Sequence, residues 1–288
     1  MSGIRGLAEA SFARFTFLDP AEHHAQARDV WTLFGPYVID DSLLPLAVDV
    51  ACLASITAHD AGAHGTGHAW ALRAGKLAAR AHSPELSARA AGMASVHKSA
   101  SHGTAPDSRE ALRLLEQARA QAPGGVVSVW ANLFLAIEHA AAGHRKDWVK
   151  ALSTADRNLG RGLGHGFFSE AGYLRSFVSP ARVAGTTGRC LALLGDGKRA
   201  LEELGAALSP QAPDGRYALV LHIDTVLAYV TAGQPEAACQ GAVVALEECQ
   251  GHGYQLGIDR LRAIREQFSP RWDDLACVRD LDERLALA

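Results

Sequence analysis

The stretch that decides the fold is YVTAGQPEAACQGAVVALE, residues 229–247. Gly233 stands between two helical segments, with Tyr229 four residues before it and Ala238 five residues after. A small residue at the second position lets two helix backbones approach closely, where a bulky side chain would wedge them apart. The same arrangement surrounds Gly195, with Gly188 seven residues before and Ala200 five after. Around Gly143 the match is partial, because Ala136 fits but Trp148 stands where a small residue is expected. Moving further out, turn glycines fall at Gly62, Gly103, Gly143, Gly195 and Gly233, with spacings of 41, 40, 52 and 38 residues. A recurrence near 40 is the signature of stacked helical hairpins, each burying its apolar face only against its neighbours. The longest interval holds an insertion over 158–172, NLGRGLGHGFFSEAG.

Helix starts agree with these stops. Asp19-Pro20-Ala21-Glu22 has an N-cap carboxylate, a proline at the first helical position and a glutamate at the third. Ser83-Pro84-Glu85 repeats the cap and proline, and Asp107-Ser108-Arg109-Glu110 repeats the box. Stripes at three- and four-residue steps follow: Ala111, Leu112, Leu115 and Ala118, then Ile258, Leu261, Ile264 and Phe268, then Val278, Leu281 and Leu285. No alternating run sits beside a hairpin turn, so strands are not expected. The reading is an all-α array of antiparallel helix pairs, an α-solenoid over 19–288 behind an N-terminal extension at 1–18.

Composition narrows the function classes. The 288 residues are 48% hydrophobic and 20% charged, enough for a real core. The formal charge of −3 offers no basic surplus for nucleic acid or an anionic membrane. Apolar runs are interrupted by charge and are read as too short to span a bilayer. The five cysteines are scattered without a CxxC, which suits a reducing cytoplasm and excludes a zinc ribbon.

Several stretches carry a more specific likeness: DAGAHGTGHAWALRAGKLA (60–78), AAGMASVHKSASHG (90–103), FFSEAGYLRSFVSPARVAGTTGRCLALLGDGKRAL (167–201) and residues 229–247. RLRAIREQF and VRDLDERL follow near the end. In this order they resemble the C-terminal tetratricopeptide-repeat region of actinobacterial helix-turn-helix transcriptional regulators. The resemblance implies a regulatory or sensor module that binds a peptide, a protein partner or an apolar small molecule in a concave groove. Only about 18 residues precede the first cap, too few for the DNA-binding domain of such regulators. Direct nucleic-acid binding is therefore not expected. The rival readings are an enzyme or biosynthetic accessory using the same pocket, and a dimerisation adaptor that forms a homodimer.

The turn glycines set the register of the groove, which the first helix of each pair lines. Counting back from them gives Asp49, His59, His97, Trp130, Arg182 and Arg189 as candidate ligand-binding residues, with Asp60 beside His59. The two arginines are seven apart, two helical turns, and guanidinium groups favour bidentate capture of a carboxylate or phosphate. His59, Asp60, His64 and His68 resemble metal ligands in type, but Gly65 and Gly67 place them at a turn, so no metal site is assigned. Gly160–Gly166 follows a helix rather than a strand and is read as an inter-repeat loop, not a phosphate cradle. Ser169 and the cysteines lack any nucleophile signature, so no catalytic residue and no cofactor is assigned.

Overall fold

The computed structural model describes residues 19–38, 40–99, 108–161, 178–208 and 215–288. Among these residues there are 13 α-helices and no strand. A leading helix α1 (Pro20–Phe34) is followed by α2 (Leu44–Asp60), α3 (His64–Arg80), α4 (Pro84–Val96) and α5 (Ser108–Gln121). Next come α6 (Gly125–Ala141), α7 (Arg145–Gly160), α8 (Pro180–Leu193) and α9 (Gly197–Ala207). The chain ends with α10 (Arg216–Thr231), α11 (Pro235–Gly251), α12 (Gln255–Arg265) and α13 (Ala276–Leu287). From α2 to α11 the helices pack in consecutive pairs, α2 on α3 through α10 on α11, while α12 and α13 both pack on α11. This is the all-α helix-pair array that the turn spacing predicts.

The local chemistry explains the boundaries. The Asp19 carboxylate accepts from the Ala21 and Glu22 amides at 2.8 and 3.1 Å, and the Ser83 hydroxyl accepts from the Leu86 amide. Gly62, Gly143, Gly195 and Gly233 all take positive φ, so each closes its helix in the left-handed conformation that other residues avoid. The predicted small residues sit where helices touch: Ala136, Ala200 and Ala238 are fully buried. A Cβ on Gly188 would lie 3.1 Å from the Ala200 carbonyl and 2.6 Å from Leu204. The predicted turn at Gly65 and Gly67 is not observed. The turn lies at Gly62, and both glycines belong to the first two turns of α3. Asn158–Gly160, assigned to the insertion, complete α7. The extension at 1–18, the turn at Gly103, Asp107 and most of the insertion lie outside the described residues.

The two helices of a pair differ in character. The second ones are amphipathic; α5, for example, buries Ala111, Leu115 and Ala118 and exposes its charges. The first ones are enclosed nearly all round, and every residue of α2 except Pro45 is buried. The run Asp41–Asp60 is therefore long and apolar enough to cross a membrane, contrary to the expectation that no such run exists. Yet 89% of its most apolar window is buried inside the protein, as in the core helix of a folded domain. The core divides into one cluster drawn mainly from α1–α7 and another from α8–α13.

The array also closes on itself, since α12 packs against α2. Arg216, the first residue of α10, donates to the Asp60 carboxylate at 2.7 Å, although 156 residues separate them. A test of the close helix approach is Gly197→Ala. Its new Cβ would stand 2.3 Å from the Ala232 amide nitrogen and 2.7 Å from the Ala228 carbonyl, neither of which can rotate away. Overpacking of this kind costs about 1–3 kcal/mol. Urea denaturation should show the loss, and an unchanged midpoint would contradict the packing described.

Candidate functional site

The first helices of the pairs enclose a cavity of about 90 Å³ between the two core clusters. Ile56 and Asp60 come from α2, Val96 from α4, and Leu133, Phe134 and Ile137 from α6. Arg182, Gly185, Thr186 and Arg189 come from α8, while α10 supplies Arg216, Tyr217, Val220 and Asp224. Tyr254 and Leu256, at the start of α12, complete the wall. No lining residue comes from the second helix of any pair. This is the inner face that the register identified, with its ends brought together.

Its polar side chains are built on a rigid frame. The Arg182 guanidinium lies over the Tyr217 ring, 3.3 Å from the centroid, in a cation–π arrangement. The Tyr217 hydroxyl in turn donates to the Ala181 carbonyl at 3.0 Å. Gly185 makes room for that tyrosine, because a Cβ there would stand 2.4 Å from its hydroxyl oxygen. Asp224 receives Arg260 from α12 through a close hydrogen bond, and the Arg189 Nε lies 3.6 Å from the same oxygen. Arg216 reaches Asp60 and also lies 6.0 Å from the Tyr254 ring centroid.

Burial dominates the electrostatics. It lowers Arg182 and Arg189 to about 10, more than the attraction of Asp224 offsets. The charge on Arg260 adds to the effect at Arg189. Both guanidiniums stay protonated at neutral pH, but their charge stands in a poorly solvated place. Burial likewise raises Asp60 to about 6 against the opposing pull of Arg216. The cavity thus offers an apolar floor with three arginines and two aspartates at its wall.

Of the residues singled out from sequence, Arg182 and Arg189 meet in this cavity, and Asp60 joins them. Asp49 and Trp130 do not line it. Asp49 is 3% exposed and is paired closely with Arg89 of α4, and burial raises its carboxyl to about 6. Trp130 is 1% exposed and fills the space beside Gly92, where a Cβ would lie 2.1 Å from its ring. His59 and His97 belong to a histidine cluster behind the wall, with the His59 ring centroid 4.8 Å from those of His64 and His97. The His97 Nε2 lies 2.8 Å from the Ser55 hydroxyl. Register counting missed Arg216, Tyr217, Asp224 and Tyr254. A signal for Asp224 was present, since it is a carboxylate within the apolar run ALVLHIDTVLAYV. No family model, curated protein or solved structure matches the chain.

Two predictions follow from these charges. Arg216→Met leaves Asp60 buried without its guanidinium, and breaking a buried pair in this way costs about 3–5 kcal/mol. Adding Asp60→Leu should restore much of the loss in a double-mutant cycle, and additive losses would show that the pair does not act as a unit. The second concerns His97, which burial first, and then His59, His68, His64 and Lys98, lower to about 3. Between the usual unfolded value of about 6.5 and that value, the native state binds fewer protons than the unfolded one. Stability therefore falls as pH drops through this window, by up to about 1.4 kcal/mol per pH unit. Asp49 and Asp60 act with the opposite sign, but they are present in both wild type and His97→Gln. The wild type should lose urea midpoint relative to the variant as pH falls below about 6.5, and parallel profiles would rule the assignment out.

Proposed function

We propose that the chain is a tetratricopeptide-type binding protein whose closed inner face takes a small molecule with an apolar body and one anionic end. The observation that carries this reading is the convergence of Arg182, Arg189 and Arg216 on one largely apolar cavity. Buried guanidiniums whose desolvation exceeds the relief from their neighbours gain more from a bound anion than solvated ones do. The planar fork of Arg182, held over the Tyr217 ring, is preorganised for a carboxylate or phosphate group. Walls from α2, α4, α6, α8, α10 and α12 surround the cavity, which suits a small molecule better than a peptide laid along an open groove. A regulatory, ligand-sensing role in the cytoplasm accords with the resemblance to regulator repeat regions and with five free cysteines.

The test is a thermal-shift series with short alkyl and aryl carboxylates, each set beside its uncharged amide. Carboxylates should raise the melting temperature where amides do not. Arg182→Ala should then weaken the best carboxylate by about 1.5–3 kcal/mol, the range for hydrogen bonds to charged groups, with little change in the melting temperature of the ligand-free protein. Equal shifts from acid and amide, or binding unaffected by Arg182→Ala, would reject the anionic end.

A further inference from the structure

On the turn between α6 and α7 lies a second group of ligating side chains, His139, His144 and Asp147, remote in role from the cavity. One ligand atom from each lies within 4.8 Å of the other two. We propose that these three residues form a binding site for a divalent transition cation of the zinc class.

The spacing of the two histidines suits chelation. Their Nδ1 atoms are 3.4 Å apart, at the long end of hydrogen-bonding distance. Two nitrogens bound at about 2.0–2.1 Å to one tetrahedral zinc ion are separated by about 3.3–3.4 Å. The rings are neither stacked nor edge-on, with centroids 5.6 Å apart and planes at 48°. The two Nδ1 atoms, closer together than the ring centroids, are the near edges of the two rings.

The backbone holds that arrangement in place. The His144 amide donates to the His139 carbonyl at 2.8 Å across Gly143, whose φ is 74°. This is the helix-closing bond of a Schellman turn, so the two ligands sit on a fixed segment rather than a loose loop. Asp147, in the first turn of α7, brings a carboxylate to the same side. His139 lies in the last turn of α6, where the helix dipole favours a cation, and this opposes the unfavourable end of α7. Imidazole ligands suit zinc, nickel or copper rather than calcium or magnesium, which take oxygen ligands. Two histidines and one carboxylate leave a coordination position for water.

The first pair of the array provides an internal contrast. His59 and His64 also lie five apart across a turn glycine, but their Nδ1 atoms are 3.0 Å apart, within ordinary hydrogen-bonding distance. Of the carboxylates there, Asp60 is held by Arg216, and Asp259, 3.6 Å from the His64 Nε2, is held by Arg262 and Gln255. Among the described residues, the turn at Gly143 is the one that brings two histidines and an acid together within 4.8 Å.

Zinc chloride titrated calorimetrically into untagged, chelator-treated full-length protein tests the site. One ion per chain should bind, and His144→Ala or Asp147→Asn should each weaken it at least tenfold, while His64→Ala should leave it unchanged. His144 and Asp147 are exposed, so both variants should keep the wild-type circular dichroism spectrum. Cobalt in place of zinc should give the intense visible absorption of a tetrahedral centre, lost in both variants. Absence of binding below about 1 mM, binding indifferent to both substitutions, or loss of binding in His64→Ala would each overturn the proposal.

Discussion

The ion pair between Asp60 and Arg216 determines what kind of object the helical array is. In a nearest-neighbour repeat array the inner helices form a trough in which each pair touches only its neighbours. Here the pair ties α10 back to α2, and α12 rests on the same helix. The two residues are almost fully enclosed, so the desolvation of both ions opposes their attraction. Such a pair adds little net stability over a well-packed apolar pair. What it supplies is discrimination: any register that separates the partners leaves a buried charge uncompensated, which costs several kcal/mol.

The same device recurs along the inner face. Asp49 with Arg89 joins α2 to α4, and Asp224 with Arg189 and Arg260 joins α10 to α8 and to α12. Each link connects first helices of different pairs. Within a pair, by contrast, contact rests on alanine and glycine, and the outer helices carry surface ion pairs such as Arg113 with Glu110. Apolar packing therefore sets how close the helices of a pair lie, while buried ion pairs fix which inner helices are neighbours and in what register. Apolar surfaces of similar size slide past one another at little cost, whereas point charges do not.

This division explains what the sequence disclosed. Caps, turn glycines and small residues act within about ten residues of one another, so their spacing alone placed the helices and identified Gly188, Ala200 and Ala238 as contact points. The stripe of α5 was legible because one of its faces meets water. A first helix such as α2 is buried on every side, and its periodicity carries no information about which face meets the cavity and which meets a neighbouring helix. Counting back from the turns therefore gave Arg182 and Arg189 correctly as inner residues, yet it put Asp49 and Trp130 on the cavity wall when both pack between helices. His64 was assigned to a turn because glycines flank it, but tertiary burial of Gly67 against Ser55 and His97 overrides their weak helix propensity. Arg216 could not be found this way, since its partner is 156 residues distant.

The cavity persists for a reason that follows from the same charges. A void lined only by aliphatic side chains would be expensive, and the surrounding helices would relax inward to reduce it. Here the wall carries buried guanidiniums, and Arg260, paired with Asp224 behind the wall, adds its charge to the field at Arg189. Arg182 lies over Tyr217, whose hydroxyl is anchored to the α8 backbone, so neither side chain can swing into the space without breaking the other's contact. Asp60 and Asp224 hold two further arginines, Arg216 and Arg260, against the wall. The ion pairs that close the array thus also prevent the collapse of its interior, and they leave concentrated positive charge beside an apolar floor.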